Sequence, residues 1–215
     1  MLELYKNKEF LRLSIFLMWL INMSGFFGIL SSERQFYLNA TPYVLSLTFL
    51  LIILNHNLKK INTLLAIFLI FFLGILVEIF GVNFSLFFGQ YSYGDSLGLK
   101  IFNVPVVIGF NWVLLVIITG SFIEKYVKSK IYIKIILSSI LMVLLDILIE
   151  KVAPVLDFWK FNLDPVPNSN YLWWFIFSLF FHIIYFQLIE KKEKTLSINI
   201  LIIQFLFFGL LTVFI

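Results

Sequence analysis

Seven apolar runs, each long enough to cross a bilayer as a helix, leave this 215-residue chain little choice of fold. A spanning helix needs roughly 20 mainly apolar residues. Such runs are read at 13–31, 41–57, 62–80, 104–123, 131–149, 171–189 and 196–214, the second being the shortest. Each must be helical, because an open strand edge in hydrocarbon strands its backbone polar groups. The expectation is an all-α polytopic transmembrane bundle of about seven helices, with residues 1–215 forming one membrane domain. Composition agrees: 61% of residues are hydrophobic and 13% charged, with a mean hydropathy of +1.02, against about a quarter charged in soluble domains. No cleavable signal peptide is evident, since the first apolar run is long enough to span and lacks a convincing small-residue cleavage site.

Orientation follows from the basic residues in alternate loops. Lys6, Lys8, Arg12, Lys59, Lys60, Lys125, Lys128, Lys130, Lys134, Lys191, Lys192 and Lys194 fall on one side, and only Arg34, Lys100, Lys151 and Lys160 on the other. The amino terminus is therefore expected in the cytoplasm and the carboxyl terminus outside. A net charge of +4 distributed this way marks topology and not a nucleic-acid face. Low charge and heavy Ile, Phe and Lys usage are compatible with a prokaryotic inner membrane.

The two longest connections, 81–103 and 150–170, then share the extracytoplasmic side. The first mixes glycines with Phe84, Phe87, Phe88, Tyr91 and Tyr93, and the second sets Trp159 beside three prolines. Glycine and proline punctuate turns, aromatics favour the headgroup region, and long irregular loops tend to carry function. Both are expected to fold back over one end of the bundle.

Ionisable groups inside spans are costly and become functional candidates. Glu78 ends the third run, and Asp146 and Glu150 end the fifth, four residues apart on one helical face. Under the assigned topology all three approach the boundary that also carries the loop residues Asp95 and Asp157. The plainer reading is that carboxylates near helix ends snorkel to the interface and that loop aspartates form turns; it stands against each residue singly more strongly than against all five. His182, in mid-span, reads as a packed, hydrogen-bonded histidine, His56 as an interfacial one, and Asn111 beside Trp112 as a helix–helix contact. The 27 phenylalanines read as lipid-facing or packing residues.

Several functions can be set aside. Cysteine is absent, which removes disulfides, thiolate metal sites and cysteine nucleophiles. Two histidines make a histidine metal centre improbable, and His-Glu-x-x-His is missing. The last run has no lysine for a retinal Schiff base. Asp146 and Glu150 make one pair, whereas a prenyltransferase needs two aspartate-rich clusters. No internal symmetry of the kind common in transporters is apparent.

The stretch EIFGVNFSLFFGQYSYGDSLGLKIFNVPVVIGFNW resembles the signature of the carotenoid biosynthesis membrane proteins that include the carotenoid 1′,2′-hydratases and bisanhydrobacterioruberin hydratase. Glu78, Gly81, Gly89, Tyr91-Ser92-Tyr93, Leu97-Gly98, Val104-Pro105 and Trp112 carry the likeness. A second block, DILIEKVAPVLDFWKF and then VPNSNYLWWF, adds Asp146, Glu150, Ala153, Trp159, Pro167, Asn170, Tyr171 and Trp174. The chain departs from the pattern at Lys151, where a proline is expected, and at Trp173, where a glycine is more usual. The resemblance implies hydration of the terminal isoprenoid double bond of an acyclic, lycopene-like carotenoid, without metal or organic cofactor.

The residues suit that chemistry. Hydrating an isolated alkene requires a proton donor, a stabilised tertiary cation and a placed water. Glu78, Asp146 and Glu150 are the candidate acid–base residues. Tyr91, Tyr93, Asp95, Asn111, Trp112, Asp157, Trp159, Asn170 and Trp174 are the candidate substrate-binding residues, the aromatic ones offering ring faces to a cation. Two other readings stay open: a cyclase that starts from the same protonation, and a non-catalytic carotenoid- or lipid-binding membrane protein.

Overall fold

The structure is a computed structural model describing residues 7–56, 60–163, 165–190 and 194–215. Seven helices run in chain order: α1 Lys8–Ile29, α2 Arg34–Leu54, α3 Ile61–Phe84, α4 Val107–Tyr126, α5 Ile131–Val152, α6 Asn168–Leu188 and α7 Thr195–Phe214. All seven are long and apolar enough to cross a membrane, and the chain is an integral membrane protein. Four short strands sit in the two long connections: β1 Tyr91–Tyr93, β2 Lys100–Ile101, β3 Val104–Pro105 and β4 Trp159–Phe161.

Helix α4 is the axis of the bundle. It packs against α2, α3, α5, α6 and α7, and a run from Trp112 to Ser121 is buried without interruption. Small residues, Gly109, Thr119, Gly120 and Ser121, let neighbours approach it closely, which is how helices associate where lipid offers no hydrophobic drive. The outer helices turn Phe16, Phe27, Phe68 and Phe180 outward, in keeping with a bundle whose solvent is hydrocarbon. His182 lies between α4, α5 and α6: Thr119 Oγ1 is 2.9 Å from Nε2, and Nδ1 is 2.8 Å from the Ser178 carbonyl. It is a packed, hydrogen-bonded core histidine. His56, just past the end of α2, is buried within the protein, with Nδ1 2.8 Å from the Ile52 carbonyl.

The element ends differ from the hydropathy reading where polar residues belong to helices or apolar ones do not. Helix α2 begins at Arg34 and not at 41: Arg34, Gln35 and Asn39 lie outside the apolar run yet continue its helix, and Arg34 donates a 2.6 Å hydrogen bond to the Val155 carbonyl. Pro42 sits inside α2. Helix α1 begins at Lys8 because Asn7 caps it, its Oδ1 accepting from the Glu9 and Phe10 amides. Helix α4 begins at Val107 and not 104, because Val104–Pro105 pairs with Lys100–Ile101 in a tight hairpin. Its turn residues Phe102 and Asn103 both have positive φ, 48° and 66°, the pairing that a type I′ turn requires.

Of the basic residues that set the topology, Lys6, Lys59, Lys191 and Lys192 lie outside the described residues. Among the others, Lys60 pairs with Glu190 and Lys194 with Glu124 at one end of the bundle. The strands and the buried carboxylates gather at the opposite end.

Candidate active site

The site starts on one stripe of α3. Gly74, Glu78 and Gly81 recur at helical spacing, and all three are buried. The two glycines make room for what binds the carboxylate between them. A Cβ on Gly74 would stand 2.7 Å from the Trp112 ring, and one on Gly81 would stand 2.8 Å from Tyr91 Oη. Through these gaps Trp112 Nε1 donates to Glu78 Oε1 at 3.0 Å, while Tyr91 and Tyr93 hydroxyls donate to Oε2 at 2.5 and 2.8 Å. Three donors thus converge on the two carboxyl oxygens of Glu78.

Helix α5 supplies the facing acids. Asp146 and Glu150 lie on its buried face, one turn apart. Asn170, buried at the start of α6, serves both: its Nδ2 is 3.1 Å from Glu150 Oε1 and makes a long 3.5 Å contact to Asp146 Oδ2. Trp159 Nε1 donates to Glu150 Oε2 at 3.0 Å. No lysine or arginine among the described residues forms an ion pair with any of the three acids. Their hydrogen-bond donors are indoles, phenols and an amide.

A two-stranded ribbon closes the end. Strands β1 and β4 pair antiparallel, Tyr91 opposite Phe161 and Tyr93 opposite Trp159. Side chains alternate along a strand, so these four rings share one face, turned toward the carboxylates, while Ser92 and Lys160 face away. Burial raises the phenols of Tyr91 and Tyr93 well above their usual 10.0, and the charge of Glu78 raises them further. Both remain protonated donors over any ordinary pH range.

The ribbon is locked by the aspartates of the loops. Asp157, at φ 55°, accepts the Asp95 and Ser96 amides on Oδ2 at 2.8 and 3.0 Å. Gly94 must be glycine here, since a Cβ would fall 2.2 Å from the Asp157 backbone oxygen. The Asp95 side chain is exposed and holds Lys100 Nζ at 2.8 Å. That hydrogen bond, and the lysine charge, keep its carboxyl below the usual aspartate range.

Between the acids lies a cavity of about 20 Å³, room for roughly one water. Glu78, Glu150, Tyr91, Tyr93, Asn111, Trp159, Asn170 and Trp174 line it, with Phe88, Phe161 and Ile108. Trp112 stands behind, stacked on Trp174 with centroids 4.2 Å apart, and Asp146 stands behind Asn170. Asp95 and Asp157 touch the loop lock and not the cavity. Phe88, noted in the sequence only as a loop aromatic, and Phe161 are not among the candidate site residues, in a chain where phenylalanine is too common to mark a site. Against this pocket lies a second, apolar cavity of about 550 Å³, and Ile108, Asn111 and Trp159 belong to both walls.

The fold and site define an integral membrane bundle that buries two facing sets of carboxyl groups under an aromatic lid, beside an apolar chamber. The family of carotenoid biosynthesis proteins matches residues 38–215, and the chain belongs to that family and has a role in carotenoid biosynthesis. No curated protein and no solved structure matches it.

Proposed function

We propose that the protein is a cofactor-independent carotenoid hydratase, adding water across the terminal isoprenoid double bond of an acyclic carotenoid. The observation that carries the reading is the water-sized cavity between Glu78 and Glu150, walled by six aromatic rings and adjoining an apolar chamber. Water, acid, base and cation-stabilising surface meet there.

The Asp146–Glu150 pair shares one proton, as two carboxyl groups one turn apart do when their charges repel. Glu150, on the cavity wall, gives that proton to the less substituted alkene carbon and leaves a tertiary cation on the other. The faces of Trp159, Trp174 and Tyr91 steady the cation, each contributing about 0.5–2 kcal/mol. Water held beside Asn111 adds its oxygen to the cation, and Glu78 takes the released proton. Return of that proton to Glu150 through a following water resets the site. The alkene gains one water and nothing is oxidised or reduced.

The membrane setting suits the reaction. With the amino terminus cytoplasmic, the site lies at the outer boundary of a prokaryotic inner membrane, where the polyene stays in lipid and water enters from the end. Expression in a lycopene-accumulating bacterium, with mass spectrometry of the pigments, tests the reading. A more polar product heavier by one water is expected. A product of unchanged mass would instead indicate cyclisation. Unaltered pigment co-purifying with well-expressed protein, for every acyclic carotene offered, would indicate a binding protein.

A further inference from the structure

The catalytic reading leaves the larger cavity without a task, and its construction is specific. Helices α1, α2, α4 and α7 pack on one another in a closed ring, α1 on α2, α2 on α4, α4 on α7 and α7 on α1. The cavity of about 550 Å³ lies inside that ring, within the roughly 300–1,000 Å³ typical of small-molecule sites. It follows α2 from Phe36 to Thr48, a run of about 18 Å at helical rise.

Three observations define what fits. None of the residues lining the chamber carries a charge; its polar members, such as Asn22, Tyr37 and Gln204, are neutral. An ionic headgroup drawn into it would be left unpaired at high cost. At its inner end the chamber shares Ile108, Asn111 and Trp159 with the carboxylate pocket. The Asn111 side chain makes no hydrogen bond to any described residue, so one unpartnered amide sits where the two spaces meet. Finally, Leu20, Ser24 and Phe36 line the chamber and are also exposed on the outside of the bundle. They lie on α1 and α2, which are pinned above by Gly28 against the Tyr37 ring and below by Asn55 Nδ2 donating to Ser14 Oγ at 3.1 Å. Leu20 and Ser24 lie between these two contacts and Phe36 just past the Tyr37 contact, so the chamber opens along the α1–α2 seam, where Ser24 Oγ also stands 3.5 Å from Tyr37 Oη, and faces lipid.

We infer that this ring of helices is the binding channel for an uncharged, extended hydrocarbon chain, which enters sideways from the bilayer between α1 and α2 and presents its terminal group at Asn111 and Trp159. The inference rests on the hydratase reading for the identity of the chain, an acyclic polyene, but its evidence is the chamber. The small pocket holds about one water, far too little for a polyene, so the chain that brings the reacting group to it must lie in a neighbouring space. The chamber is that space. A polyene longer than the chamber leaves its far end in lipid.

The test uses the full chain, expressed in a lycopene-accumulating bacterium and purified into lipid nanodiscs. Bound pigment is read by absorbance, product by mass spectrometry and bound phospholipid by lipid extraction. Ala40 lines the chamber, and Ala40→Leu and Ala40→Trp fill it progressively. Ala40→Leu adds only a small side chain and safeguards the test should the tryptophan variant fail to fold. Retained lycopene is expected to fall in steps across the series, by about tenfold or more at tryptophan, as overfilling denies the chain its contacts. Glu78→Gln is expected to retain the pigment at the wild-type level while forming no product. Full retention in both Ala40 variants would overturn the channel and leave the hydratase reading standing. Pigment lost with Ala40→Trp, but never converted by the wild type, would uphold the channel and overturn the hydratase reading. Stoichiometric phospholipid, released by Ala40→Trp with lycopene unaffected, would reassign the chamber to lipid and overturn the inference.

Discussion

The indole of Trp112 lies flat on that of Trp174, planes 14° apart, and its Nε1–H reaches Glu78 Oε1 at 3.0 Å. One side chain thus joins α3, α4 and α6, fixing the carboxylate and the ring wall together. Trp112→Phe keeps most of the stacking and removes only the donor. A lost hydrogen bond to a buried charged group costs about 1.5–3 kcal/mol. Pigment conversion is expected to fall about 10- to 100-fold on that scale, with the thermal midpoint in detergent lowered only modestly.

Glycine is required on α3 for close approach. A Cβ at Gly81 would meet Tyr91 Oη at 2.8 Å and Phe88 Cδ2 at 2.9 Å. Gly81→Ala should therefore separate Tyr91 from Glu78, although alanine favours a helix by about 1 kcal/mol. Conversion measured in cells should drop at least as far as in Tyr91→Phe. Wild-type conversion in Gly81→Ala would show that the lid does not position the carboxylate.

The phenols give a signed pH effect. Tyr91 and Tyr93 have folded-state pKa values raised well above 10.0, by burial first and then by the Glu78 charge. A raised pKa means that their contribution to stability is complete below the unfolded value and is lost as pH rises beyond it. Wild-type thermal stability should fall on going from about pH 9 to 11, and the Tyr91→Phe/Tyr93→Phe double variant should fall less steeply over the same interval. Equal slopes would contradict the assignment.

The two loop aspartates should separate. Asp157 accepts two backbone amides, whereas the Asp95 side chain is exposed beside Lys100. Asp157→Ala leaves both amides without their acceptor and puts alanine at positive φ, a loss of about 1–3 kcal/mol with reduced conversion. Asp95→Ala should stay within about 0.5 kcal/mol of wild type, as exposed substitutions usually do. Thermal unfolding of the two variants side by side decides this.

Apolar run length alone reveals seven helices, because lipid imposes a minimum span that soluble folds do not share. The meeting of Glu78 with Asp146 and Glu150 is likewise legible, since each ends a run on the same side. What joins them is not. Strands β1 and β4 are three residues each and lie far apart in sequence, too short for a period-2 pattern to register. Phe88 and Phe161 look like any other phenylalanine in so aromatic a chain. Asp95 and Asp157 look alike as turn residues, yet only Asp157 turns its carboxylate inward. The chamber leaves no linear trace at all, being assembled from single residues of helices α1, α2, α4, α5 and α7 and of the two long connections.

The most direct measurement of the central claim supplies lycopene to membranes bearing the wild-type protein in deuterium oxide, with Glu150→Gln membranes in parallel. The account predicts a product heavier by one water that keeps one deuterium on carbon after exchangeable positions are washed back to hydrogen, and no such product from Glu150→Gln. A hydrated product without carbon-bound deuterium, or the same yield from Glu150→Gln, would contradict acid-initiated hydration at this site.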